Sequence, residues 1–240
     1  METLLLEIGT EEIPAGYIIP ALEAISENLL QKLDDARIAH GPSKISGTPR
    51  RLTVSVAKVA SKQTSITSEV VGPPAKVGFD SAGKPTVAAK KFAEKVGVSL
   101  EKLAIKRTEK GEYLCAAITE RGQASRSLLK EILPQVILAT PFPKKMRWAA
   151  LDIEFARPIH SITALLGPTV ISFQLGNLKS NRYTRGHYFM STGKIKLAHA
   201  DEYEKKLKEA GVIVDIDERK RLLRREIEKI SKKLGGRILP

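Results

Sequence analysis

Apolar residues along the chain recur with two periods, and each predicts an element. Residues 4–8 form a short apolar run of the kind a buried strand carries. The run enters residues 9–14, a turn or helix start. Ile18, Leu22, Ile25, Leu29 and Leu33 then fall at steps of three and four, which predicts an amphipathic helix centred on residues 20–37. Pro20 is expected in its first turn, where a missing N–H matters least. Residues 41–49 read as a loop. Leu52, Val54 and Val56 alternate with Thr53, Ser55 and Ala57, the pattern of a half-buried strand. Strand, helix and strand at this spacing predict a core of mixed α and β elements.

The texture changes at Gly-Pro-Pro-Ala, residues 72–75. Residues 85–96 predict a short helix stopped by Gly97, residues 99–103 the start of another, and residues 113–119 a strand. Leu128, Leu129, Ile132, Leu133, Val136 and Ile137 give a helix over residues 125–138. Beyond a rigid Pro-Phe-Pro at 141–143, residues 159–166 and 170–175 suit two strands of a hairpin about Gly167-Pro168. A helix over 201–210, a short strand over 212–214 and a longer helix over 218–234, closed by Gly235-Gly236, complete the pattern. The expected fold is α+β: a mixed core in two parts, 1–71 and 141–200, with a small, mostly helical module inserted at 72–140. A helix-strand-helix segment at 201–240 is expected to lead into further domains.

Composition narrows the class. The chain has 240 residues, 42% of them hydrophobic, which excludes a disordered tail. One cysteine, Cys115, permits neither an intrachain disulfide nor a cysteine-based metal site. No stretch approaches the roughly 20 apolar residues of a membrane span, so a soluble, cytoplasmic protein with no membrane partner is expected. The net charge of +13 points to a polyanion, with nucleic acid the leading candidate and mere solubility the alternative.

The charge is unevenly placed. Residues 36–68 and 155–200 contain bases and no acid. The last forty residues mix twelve bases with nine acids, as a solvated helix face does. The acid-free stretches are the better places for phosphate contact, since no neighbour competes for the cation.

Enzyme signatures are missing. There is no phosphate-binding loop of the Walker type, no G-x-G-x-x-G, no H-E-x-x-H and no G-x-S-x-G. The four histidines stand apart, and Cys115 lies in an apolar run as a buried thiol would. Adjacent Glu11 and Glu12 point opposite ways on a strand and diverge on a helix, which disfavours a carboxylate dyad. They read first as charges at the start of the following helix, and second as a site for an amine or another subunit's arginine. Three basic–aromatic clusters remain as candidates. Arg50 and Arg51 precede a strand and point to opposite faces, one toward a phosphate and one toward an acid at the core edge. Lys144, Lys145 and Arg147 stand beside Trp148, either as phosphate contacts with a stacking ring or as a cationic rim over core residues. Arg182-Tyr183-Thr184-Arg185-Gly186-His187-Tyr188-Phe189 is the third. Its Arg182, Arg185 and His187 suit phosphate or base edges. Alternation of Tyr183, His187 and Phe189 also fits an ordinary strand with one buried face, and for Phe189 that reading is preferred.

Ordered motifs then bring a family into view. Leu-Leu-Leu-Glu-Ile-Gly-Thr-Glu-Glu-Ile-Pro-Ala-Gly at 4–16 strongly resembles the N-terminus of the β subunit of the bacterial tetrameric glycyl-tRNA synthetase. Thr-Pro-Arg-Arg-Leu at 48–52, Gly-Pro-Pro at 72–74, Pro-Lys-Lys-Met-Arg-Trp at 143–148, Phe-Ala-Arg-Pro-Ile-His at 155–160 and Thr-Arg-Gly-His at 184–187 follow in the family's order. The chain departs from that pattern at Ser161, Tyr188 and Lys90-Lys91.

The resemblance implies a portion of a longer subunit in an α2β2 enzyme that ligates glycine to its tRNA with ATP. ATP and Mg are then expected on the α subunit and no cofactor on this chain, with the α subunit and tRNA(Gly) as partners. The tRNA contacts would come from Arg50, Arg51, Lys144, Lys145, Arg147, Trp148, Arg157, His160, Arg182, Arg185 and His187, with no catalytic residue and no metal. The same region resembles, at fold level, pieces of the β subunit of phenylalanyl-tRNA synthetase. The alternative is a scaffold that docks the α subunit or the rest of β without touching tRNA. In that case an arginine such as Arg157, beside Pro158, pairs internally with Glu11 or Glu12. A free-standing deacylase ranks last, for want of a metal set or triad.

Overall fold

A computed structural model describes residues 1–80, 83–108, 111–147 and 153–237. In chain order its first elements are β1 (Glu2–Thr10), α1 (Ala15–Asp35), β2 (Ser43–Thr48), β3 (Arg51–Val59), β4 (Ile66–Pro74), α2 (Ala75–Gly78), α3 (Val87–Val96), β5 (Leu103–Thr108), β6 (Gly111–Glu120) and α4 (Ser125–Leu138). Short strands follow: β7 (Met146–Arg147), β8 (Glu154–Phe155), β9 (Ile159–Leu166), β10 (Thr169–Val170), β11 (Gln174–Leu175), β12 (Leu178–Lys179), β13 (Tyr183–Arg185) and β14 (Lys194–Lys196). The helices α5 (Tyr203–Glu209) and α6 (Ile216–Leu234) come last. The fold is α+β.

The chain divides into two compact units, Met1–Gln63 with Gln123–Pro240, and Thr64–Gly122. In the larger unit one antiparallel sheet has the order β10-β9-β1-β3-β2. Its central strand β1 is buried on both faces, as its apolar run requires. Leu4, Leu6 and Ile8 share one core with Leu52, Val54 and Val56 of β3, Leu22, Ile25, Leu29 and Leu33 of α1, and Leu129, Leu133 and Val136 of α4. On the other face Leu5 and Leu165 meet Leu197, Ala200, Tyr203, Leu207, Val212 and Val214. The sheet is thus the middle of three layers, with α1 and α4 on one side and the chain from β14 to α5 on the other.

Several expectations are corrected. The helix over 125–138 is α4, and it packs in the larger unit against α1, where Lys32 Nζ donates to Gln135 Oε1 at 3.1 Å. The smaller unit runs over 64–122 rather than 72–140, and a three-stranded sheet in the order β4-β6-β5 frames it. Ala89 and Phe92 of α3 pack on Leu114 and Ala116 of β6. Strands β4 and β5 gave no alternation because nearly all their side chains face solvent. The segment over 41–49 contains the edge strand β2, whose Ser, Lys, Gly and Thr offer little apolar contrast. Residues 170–175 form only the two-residue pairing of β10 and half of a second ribbon, β11 with β12. The helix α1 starts at Ala15, which puts Pro20 inside it.

Residues 212–214 form no strand. Val212 and Val214 are buried instead, and one hydrogen bond, Gly47 N–H to the Val214 carbonyl at 2.9 Å, ties the segment to β2. Asp215 then opens α6. Its carboxylate accepts from the amides of Asp217 at 3.0 Å and Glu218 at 2.9 Å. It also meets Lys44 Nζ at 2.9 Å, and Lys44 reaches Glu204 at 2.7 Å. The Glu218 amide, followed by Lys44, holds the Asp215 carboxyl below the usual aspartate value of 3.8. A lowered folded-state value means a contribution present above the unfolded pKa and lost as pH falls through the folded one. Asp215→Ala should cost about 1 kcal/mol of stability at neutral pH. Asp215→Asn should remove this acid dependence, so urea unfolding of parent and Asn variant at neutral and acid pH should show the difference between them shrinking in acid.

Candidate functional site

Strand alternation places a carboxylate, Glu7, in the second core, where apolar contacts alone hold no charge. Glu7 is 2% exposed. Its direct neighbours in the sheet are Thr53 on β3 and Thr163 on β9. The Thr184 hydroxyl lies 2.8 Å from both carboxylate oxygens, and the Tyr203 hydroxyl donates to Oε2 at 2.5 Å. Arg51 Nη1 stands 3.4 Å from Oε2, and Thr53 Oγ1 lies 2.8 Å from the Tyr203 hydroxyl. A buried carboxylate demands this density of donors. Burial first, then the Glu7 charge, pushes the Tyr203 hydroxyl well above its ordinary value of 10.0.

Arg51 also reaches across to the Arg185 carbonyl at 2.9 Å, so the network fixes β13. From there the motifs picked out in the sequence converge at one end of the sheet. The Thr10 amide donates to the Arg50 carbonyl at 2.9 Å, the Glu11 amide to Pro158 at 3.0 Å and the Ile13 amide to Pro49 at 2.7 Å. Glu11 and Glu12 act as a pair of arms. Glu11 meets Arg50 at 3.3 Å and His160 Nε2 at 2.9 Å, and Glu12 meets Arg50 Nε at 3.4 Å. Arg157 Nε donates to the Glu12 backbone carbonyl at 3.2 Å. The reading of these acids as first-turn helix charges is corrected, since α1 carries no acid in its first turn.

Each candidate can now be placed. Arg51 is buried against Glu7, as the opposite-faces reading requires for one of the pair, and Arg50 is the outward partner. Arg157 and His160 belong to the Glu11–Glu12 cluster. Arg182 is occupied by the carbonyls of Leu197 at 3.3 Å and Pro168 at 3.1 Å. His187 Nδ1 accepts from the amides of Phe189 at 3.2 Å and Met190 at 3.3 Å, a bracing role inside its own turn. Lys144 is exposed and Lys145 half-buried ahead of β7, whose Arg147 pairs in register with Glu154. Trp148 lies outside the described residues.

The β13–β14 ribbon carries what the internal pairs leave over. Thr184 and Ile195 face inward, to Glu7 and to the second core. Tyr183 opposite Lys196, and Arg185 opposite Lys194, face outward. No described acid pairs with Arg185, Lys194 or Lys196. Like charges directly opposite on a ribbon repel, so this face favours an anion. At the tip the expected burial of Phe189 is corrected: Phe189 is 86%, Tyr188 74% and Met190 68% exposed. Arg50 lies over the Tyr188 ring, 5.2 Å from its centroid. Gly186 is needed in the approach, because a Cβ there would stand 2.6 Å from that of Ala210. Lys194, Lys196 and the three tip residues were missed as contacts. The acid-free run was the available signal for the lysines, and nothing in the period-two pattern separated a tip from a strand. Among the described residues no group of three or more His, Cys, Asp or Glu can hold a metal.

A buried ion-pair network thus braces the ribbon that carries Arg185, Lys194 and Lys196. Residues 4–240 match the family model of the glycyl-tRNA synthetase beta subunit, and the chain belongs to that family. It is 53% identical over 236 residues to the glycine–tRNA ligase beta subunit of Desulfatibacillum aliphaticivorans, covering 98% of this chain and 34% of that one. The subunit of the same name from Desulforapulum autotrophicum is 45% identical over all of this chain and 35% of its own length. That from Myxococcus xanthus is 42% identical over 98% and 34%. The chain spans about a third of the length of these relatives.

The buried network generates a stability prediction. Arg51→Met strands the Glu7 carboxylate and should cost about 3–5 kcal/mol, whereas Tyr203→Phe, which removes one donor, should cost about 1–3 kcal/mol. A raised folded-state value also makes the Tyr203 contribution complete below pH 10 and lost above it. The parent should therefore lose stability on going from neutral to strongly alkaline pH by more than Tyr203→Phe does, as denaturant titration of both at each pH will read.

Proposed function

We propose that this chain serves glycyl-tRNA synthesis as a non-catalytic part of the β subunit that binds tRNA(Gly) and joins the α subunit in an α2β2 ligase. In this reading the α subunit holds ATP and Mg and performs adenylation and transfer, and the chain works in the cytoplasm. The observation that carries the tRNA part is the outward face of the β13–β14 ribbon, where Arg185, Lys194 and Lys196 meet no described acid. Phosphates supply the missing charge, and Lys144 and Lys145 add further cations ahead of β7. Binding then draws on counterion release.

A second reading, a scaffold that docks the α subunit or the rest of β, has its own support. Four of the candidate arginines are committed internally: Arg50 to Glu11 and Glu12, Arg51 to Glu7, and Arg157 and Arg182 to backbone carbonyls. These side chains brace the surface in either reading.

The two readings separate on charge removal in the complete two-subunit enzyme. In the tRNA reading, Arg185→Ala with Lys194→Ala weakens tRNA(Gly) binding and reduces the slope of log affinity against log salt by about 2, one for each cation removed from a phosphate. Anisotropy titrations across a salt series measure this. An unchanged slope and affinity, with loss of α-subunit co-purification in the same variant, would establish the scaffold instead.

A further inference from the structure

The ribbon tip is built in a way that phosphate contact does not use. Residues 186–193 link β13 to β14 and raise Tyr188, Phe189 and Met190 out of the fold, and none of the three joins a hydrophobic core. Exposed aromatic rings on a mobile loop would collapse onto the nearest apolar surface. These are held up by polar contacts. His187 receives both the Phe189 and Met190 amides on Nδ1, the Ser191 amide returns to the His187 carbonyl at 3.0 Å, and the His187 amide is tied to Ala210 at 2.9 Å. Met190 closes over Gly211, where an added Cβ would stand 2.7 Å from its methyl. Tyr188 is held from one side by Arg50 and touches Phe189 edge-on, with ring centroids 5.0 Å apart. Arg50 is itself gripped by Glu11 and Glu12. The outcome is a braced turn that leaves the Phe189 ring 86% exposed at the end of the ribbon that carries Arg185, Lys194 and Lys196.

We infer that the tip is a stacking platform for an unpaired nucleotide of the bound RNA, with Phe189 against the base and Arg185 and Lys194 on the flanking phosphates. The inference rests on the tRNA reading above and adds the form of the ligand to it. A base inside a duplex already has both faces covered by its neighbours, so a ring offered this way suits an unpaired one. The charge around the rings selects the class of partner. An apolar socket in another protein would leave Arg185 and Lys194 opposed and unneutralised, whereas a nucleotide brings a face for the ring and an anion for the cations together. Tyr188 is a positioning residue here, since its ring meets Phe189 edge-on.

The test uses the complete enzyme with tRNA(Gly). Phe189→Ala should weaken tRNA binding about tenfold, the loss of one base stacked on a ring, while leaving the salt slope at its parental value. Phe189→Leu should behave like the alanine variant and Phe189→Trp like the parent, since a flat ring and not bulk is required. Phe189→Trp also supplies a direct readout: against the parent, its added fluorescence should be quenched by a short single-stranded RNA and not by a blunt RNA duplex. Parental affinity in Phe189→Ala, together with a weakened Arg185→Ala/Lys194→Ala variant, overturns the stacking inference and leaves the phosphate reading standing. Parental affinity in both overturns the platform and the tRNA reading of this ribbon together, and loss of the α subunit but not of tRNA in Phe189→Ala overturns the platform alone.

Discussion

One carboxylate orders the third layer of the larger unit. Glu7 sits in the middle strand of the sheet and faces a layer whose other contacts, Leu5 and Leu165 against Leu197, Leu207 and Val214, are apolar. Apolar contacts are non-directional, so they favour burial of that layer without fixing its position. A buried carboxylate is directional and intolerant. It requires the Thr184 and Tyr203 hydroxyls and the Arg51 guanidinium together, and those groups come from β13, α5 and β3. Only one placement of ribbon and helix supplies all three. The apolar residues drive the layer onto the sheet, and Glu7 selects where it stops.

The period of two in a strand carries that selection to the surface. Arg51 is inside because Glu7 needs it, so its neighbour Arg50 must lie outside, within reach of Glu11 and Glu12. Thr184 is inside for the same reason, so Arg185 and Tyr183 face out, and their cross-strand partners Lys194 and Lys196 with them. The repulsion between Arg185 and Lys194 is small beside what holds Thr184 and Ile195 against the sheet. The fold can therefore hold cations together in a way that an isolated two-stranded ribbon would relieve by fraying.

How much of this was legible follows from where the signal lies. The strands β1, β3 and β9 and the helices α1 and α4 read correctly because each buries a face or a stripe, and burial writes a period into the sequence. β2, β4 and β5 did not, because edge and one-sided strands are held by the backbone ladder, which leaves no trace in side-chain polarity. The motifs Glu11-Glu12, Arg50-Arg51, Arg157–His160 and Arg182–His187 stood out singly, and their convergence did not, since it depends on strand order. The suspicion that Arg157 is held internally had the right neighbourhood: the acceptor is the Glu12 carbonyl and not a carboxylate. Glu7 was hidden inside a run of leucines. Phe189 misled because alternation predicts burial only where a strand continues, and β13 ends at Arg185.

Net charge is a poor measure of a binding surface for a reason this fold makes concrete. The +13 of the chain counts Arg50 and Arg51 in full, although each faces a carboxylate within 3.4 Å. It also counts Arg157 and Arg182, whose guanidinium groups serve backbone carbonyls. A cation matched by an internal partner contributes little attraction beyond a Debye length, about 8 Å at physiological salt. What remains to attract a polyanion is the unmatched subset, and its geometry matters more than its total. On the β13–β14 ribbon that subset is small, and the buried network fixes the backbone that carries it, with Thr184 bound to Glu7 and the Arg185 carbonyl to Arg51. A fixed backbone spares association the cost of ordering the ribbon and leaves only the side-chain entropy of Arg185, Lys194 and Lys196 to be lost.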